Sequence, residues 1–143
     1  MAEFKQTFSS KTTITFAALP TLTVAAGPSA SNEIDNTTTR YDEIILELLI
    51  GYNAADVTNA WVDVRILASL DDDGSTWSTW ETPYLILPAL DASAAGTSTA
   101  PTNTIYHTRF VPPRRWKVAV KNNTTQTFDE GTAAFQGVTY TGV

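Results

Sequence analysis

Apolar and polar residues alternate with a period of two along much of this 143-residue chain, the signature of strands with one buried face. Ala60 to Ser69 shows it most clearly: Val62, Val64, Ile66 and Ala68 face one way, and Trp61, Asp63, Arg65 and Leu67 the other. Between Tyr41 and Tyr52, Ile44, Leu46, Leu48 and Ile50 share one face, while Ile45 and Leu49 share the other with Glu43 and Glu47. The Glu-rich start would also suit a helix, but Gly51 and the β-like neighbours favour a central strand. Shorter β-prone runs lie at 3–9, 12–18, Thr21 to Val24, Trp77 to Trp80, Tyr84 to Leu87, Ile105 to Val111, Trp116 to Lys121 and Ala133 to Thr141. Together they predict roughly eight strands.

Turn residues punctuate these runs. Gly27-Pro28 opens a polar loop that reaches Thr39. Asp73-Gly74 between two β runs predicts a hairpin, because that pair tolerates a positive φ. Pro112-Pro113 makes a stiff corner, and Asn122 to Thr125 a turn. Residues 90–103, rich in Ala, Ser, Thr, Gly and Pro, form a loop long enough to suggest a function of its own.

Composition supports the β reading. There are 24 threonines, and a β-branched side chain favours strands over helix interiors. With 43% hydrophobic residues, a chain of this length can bury a core without metal or disulfide. The expected fold is all-β, an antiparallel two-sheet sandwich of jelly-roll type in a single domain over 1–143. Residues 1–25 read either as an extended N-terminal arm or as the first strands. No repeat of fixed period points to a propeller or solenoid.

Charge narrows the partners. The net charge of −6 argues against a general nucleic-acid binder and against an anionic membrane surface. The charge is uneven: residues 1–103 carry a net −9 and residues 104–143 a net +3. The basic section comprises Arg109, Arg114, Arg115, Lys117 and Lys121. It reads either as a solvated strand edge, where lysines block aggregation, or as a complementary contact for an acidic partner or a neighbouring copy. No leader or spanning segment is recognisable, so synthesis in a cytoplasm is expected.

Catalytic chemistry finds little to work with. Cysteine is absent and His107 is the one histidine, which excludes thiol nucleophiles and His- or Cys-rich zinc sites within one chain. His107 falls inside an expected strand, away from any nucleophile turn, and reads as a surface residue. The Asp71-Asp72-Asp73 cluster sits on a hairpin tip and lacks the EF-hand pattern. No phosphate-binding glycine loop occurs. Neither catalytic residue, metal ligand nor cofactor site is expected. Trp61, Trp77, Trp80 and Trp116 invite a glycan-stacking reading, with Trp77 and Trp80 as the candidate platform. Their spacing of three on an extended strand would send them to opposite faces, one of them into the core.

Two resemblances follow from these residues. Leu70 to Trp77 is similar to the Asp-box hairpin of sialidases and other β proteins, matched by Asp72, Gly74, Thr76 and Trp77, with Leu70 in place of the usual serine. That motif implies a structural hairpin, not an activity. The whole layout resembles the small all-β structural proteins of tailed bacteriophages. The likeness is carried by the Thr-rich start from Phe4 to Val24, the hairpin at 66–80 and the closing segment at 109–127. It implies a virion component made in the host cytoplasm: a non-enzymatic capsid decoration or cement protein, a homotrimer on the exterior of the major capsid protein lattice. Expected contacts are Phe4, Phe8, Arg109, Arg114, Arg115 and Lys117, together with the 88–103 loop. A carbohydrate-binding adhesion module and a hexameric tail or baseplate connector are the competing assignments.

Overall fold

The apolar rows read from the sequence set the layers. In a computed structural model, which describes residues 3–23, 27–52, 61–91, 102–124 and 127–142, the eleven strands fall into two antiparallel sheets. The first sheet holds β1 (Phe4–Phe8), β2 (Thr12–Ile14), β5 (Glu43–Tyr52), β9 (Thr102–Phe110) and β11 (Glu130–Gly142). The second holds β3 (Ser29–Ala30), β4 (Ile34–Asp35), β6 (Trp61–Ala68), β7 (Leu85–Ile86), β8 (Leu90–Asp91) and β10 (Arg115–Asn122).

Three sheet positions are occupied by interrupted strands. β1 and β2 pair with successive stretches of β11, β3 and β4 with β10, and β7 and β8 with β6. The eleven strands therefore fill eight positions, four to a sheet, in the orders β1/β2-β11-β5-β9 and β3/β4-β10-β6-β7/β8.

Both sheets turn their apolar rows inward. Ile44, Leu46, Leu48 and Ile50 of β5 are fully buried against Val62, Val64 and Ile66 of β6 and Val118 and Val120 of β10, all in one cluster. Each such side chain contributes about 1.5–3 kcal/mol on burial. Trp116 reaches from β10 into the first sheet, edge-on to Phe110 of β9 (5.2 Å between centroids) and Phe135 of β11 (5.5 Å).

Three expectations are corrected. The run expected to be extended from Thr21 to Val24 begins instead with one turn of 3₁₀ helix, Leu19–Thr21, with Pro20 in its first turn; Leu22 is extended, and Val24 lies outside the described residues. Proline has no N–H for a sheet ladder and its ring fixes φ, so the turn wins and delivers Leu19 and Leu22 to the core. The expected strand at Trp77 to Trp80 is absent: only Trp77 makes an isolated bridge, to Ser69. The strand at Tyr84 to Leu87 shrinks to Leu85–Ile86. After Trp77 the chain leaves the ladder, and Leu85–Ile86 rejoins it beside β6. Its hold on β6 is Ser78 N donating to Ala68 O (2.9 Å) and Tyr84 N to Ile66 O (2.9 Å). Leu67 and Ala119 are buried although they occupy outward positions of β6 and β10.

Candidate interaction surface

The aspartate loop forms around one carboxylate. Asp71 Oδ1 accepts the backbone N–H of Gly74 and of Ser75 (3.0 Å each), and Oδ2 accepts Thr76 N (2.8 Å) and the Ser75 hydroxyl (2.7 Å). These bonds, those of Thr76 and Ser75 first, hold the Asp71 carboxyl far below the ordinary carboxylate range. Gly74 supplies the positive φ of +79° that the turn needs, and Trp77 Nε1 donates to Gly74 O (2.7 Å). The Asp-box match aligned Asp72 with the motif's aspartate and Leu70 with its serine. The carboxylate that closes the loop is that of Asp71, one residue earlier, and the Ser69 hydroxyl donates to it (2.9 Å to Oδ1). Ser69-x-Asp71 was a legible signal one register away from the match.

Asp72 is thereby released to face outward, where it meets the basic corner. Arg114 donates to Asp72 Oδ1 (2.8 Å), both side chains being largely exposed. Arg115 reaches Asp72 O through Nε (3.0 Å), bonds Glu33 directly, and lies 3.7 Å from Asp35. Glu33, first, raises the guanidinium pKa. Three loops, around residues 33–37, 69–77 and 111–115, are thus bound together at one end of the sheets. The charge of Arg115 is matched by acids of its own chain.

The two candidate stacking tryptophans lie on the same outer face, and neither enters the core. Lys117 Nζ stands 4.1 Å from the Trp77 ring centroid, and the Arg65 guanidinium 4.2 Å from that of Trp80. Each indole therefore has one face covered by a cation. The residue spacing had implied one core ring, but it presumed a strand that does not form. Among the four tryptophans, Trp116 fills the core.

On the outer face of the first sheet, polar side chains form two transverse rows. Gln6 Nε2 donates to the Tyr140 hydroxyl (3.3 Å), which donates to Glu43 Oε2 (2.8 Å), and Arg109 lies 3.6 Å from that same oxygen. This row crosses all four sheet positions. In the second row, Lys11 Nζ (2.7 Å) and His107 Nε2 (2.9 Å) converge on Glu47 Oε2, Lys11 being the first cause of a lowered Glu47 pKa. Phe4 and Phe8 sit on β1 beside the first row, 72% and 47% exposed. None of Gln6, Tyr140, Glu43 or Glu47 was expected from sequence, because each is defined by a partner on a distant strand.

The expected contact residues thus divide between two regions. Phe4, Phe8 and Arg109 share the outer face of the first sheet, whereas Arg114, Arg115, Lys117, Trp77 and Trp80 surround the loops of the second. Most of the 88–103 loop, residues 92–101, lies outside the described residues. Among the described residues, no cluster of three or more His, Asp or Glu side chains suits a metal ion, and no helix is long and apolar enough to cross a membrane. Compared with protein-family models, with curated proteins and with solved structures, the chain matches none.

Proposed function

We propose that this chain is a non-enzymatic virion protein of jelly-roll topology that decorates and stabilises a phage capsid. The strand order supports this most. Numbered along the chain, the eight sheet positions run 1-8-3-6 in one sheet and 2-7-4-5 in the other. Two intertwined Greek keys produce that order, and such jelly rolls recur in viral capsid proteins. The polar rows and the loop–loop ion pairs fit a rigid surface module. The strand Phe4–Phe8, exposed at every residue and paired with β11 alone among the described strands, is the arm that engages a neighbour, by main-chain pairing along its other edge.

The partner is the lattice of the major capsid protein, and the assembly on it is a homotrimer. Light scattering of the purified protein should give three subunits, and the protein should co-sediment with shells of the phage that encodes it. A ring of six would move it to the tail, and a protein left in the supernatant would overturn the capsid assignment. Deleting residues 2–10 should abolish shell binding and leave the core folded. Full binding by the truncated protein would remove the arm from the proposal.

A further inference from the structure

Between the loop that precedes β5 and the corner that precedes β10 lies an open groove of about 500 Å³, whose lining includes Thr37, Arg40, Tyr41, Asp42, Val111 and Arg114. Its walls are braced. Asn36 N donates to Arg114 O (2.7 Å), and the Asn36 side chain bonds both the N–H and the carbonyl of Tyr41 (2.8 and 3.3 Å). Two guanidinium groups face this space. Arg114 spends one nitrogen on the exposed Asp72. Arg40 forms no ion pair among the described residues; its Nε donates to Thr37 O (3.2 Å), and its exposed side chain lines the groove. Arg40 is also the one described non-glycine residue with positive φ, +52°. Glycine or asparagine would be less strained at that φ.

The acid in the lining, Asp42, is already engaged, its Oδ2 accepting Tyr140 N–H (2.7 Å). The lining thus carries two guanidinium groups against one carboxylate, on a chain of net −6. Exposed Val111 and the Tyr41 ring supply apolar walls between the two cations.

We infer that this groove binds a carboxylate-bearing segment of a protein partner, an acidic side chain flanked by apolar residues, clamped between Arg40 and Arg114. A planar guanidinium pairs bidentately with a carboxylate. Two cations are too few for a phosphate backbone or a membrane surface, which the overall negative charge repels. This inference rests on the proposed capsid role for the identity of the partner, but not for the chemistry of the groove.

The test uses the full chain and a defined probe, a short peptide with one Glu between two Leu residues, beside its Gln counterpart. Titrated at physiological salt and followed by amide and arginine Nε–H resonances, the Glu peptide should shift Thr37, Arg40, Val111 and Arg114 saturably. The Gln peptide should not. Arg40→Asn, which suits the positive φ and so keeps the fold, should weaken Glu-peptide binding by about tenfold, as should Arg114→Gln. Equal shifts with both peptides, shifts spread over every basic residue, or undiminished binding by Arg40→Asn would overturn the inference. Shell co-sedimentation separates the two proposals. Wild-type binding that Arg40→Asn retains in full overturns the groove's role on the capsid. No wild-type binding overturns the capsid role and leaves the peptide result standing.

Discussion

The ring of Tyr41 lies so close to the backbone of Gly137 that a β-carbon on Gly137 would sit 2.2 Å from ring atom Cδ1. Tyr41 cannot retreat, because its backbone is held at both ends by Asn36 and its ring packs edge-on to Phe135. Gly137→Ala should therefore destabilise the protein by about 1–3 kcal/mol, the usual cost of overpacking. Urea denaturation measures it. Tyr41→Ala in the same chain should remove most of the added penalty, since the two sites share one space. An additive double variant would place the strain elsewhere.

Trp116→Ala should be the most damaging single change in the core, at about 3–5 kcal/mol, because it empties the space between Phe110 and Phe135. Wild-type tryptophan emission should include a blue-shifted component from Trp116, and Trp116→Phe should remove it while Trp77→Phe leaves it. Calorimetry and fluorescence check both statements.

Acid should loosen the aspartate loop. The folded pKa of Asp71 lies far below its ordinary 3.8, so the carboxylate's contribution is complete above about pH 4 and is lost as pH falls below it. Asp71→Ala should lower the melting temperature at pH 7 and narrow its gap to wild type toward pH 2. A gap unchanged with pH would mean that the loop closes without that charge.

The Lys11–Glu47–His107 row obeys the same sign. Glu47's pKa is lowered, so its contribution is held above its ordinary 4.5 and fades as pH drops through the folded value. A double-mutant cycle between Glu47→Gln and Lys11→Met should give a coupling below about 1 kcal/mol, as exposed pairs do, and less at high salt.

Much of this architecture was visible in the chain. The core-facing rows of β5 and β6 follow period-two alternation, outward Leu67 being also buried, because one face of each strand meets the core. The Asp-Gly turn was legible because its need for positive φ is local. What sequence could not supply were pairings between distant strands. Arg115 meets Glu33 across 82 positions, and Glu47 meets His107 across 60. No spacing rule encodes such a match. The Trp77 to Trp80 segment misled for another reason: its β-prone residues pack flat against cations of the second sheet instead of joining it.

The position of β11 has a consequence for when the molecule can fold. It lies between β1/β2 and β5, yet it comes after every other strand in the chain. While the ribosome is still making residues 130–142, the amino-terminal strands have no partner in the first sheet, and one side of β5 is open. The first sheet closes only once β11 is made, and pairing Phe4 with Gly142 closes the widest loop among the described strand pairs, a costly one. Until then the nascent protein exposes strand edges, the period in which a chaperone or a second copy competes for them.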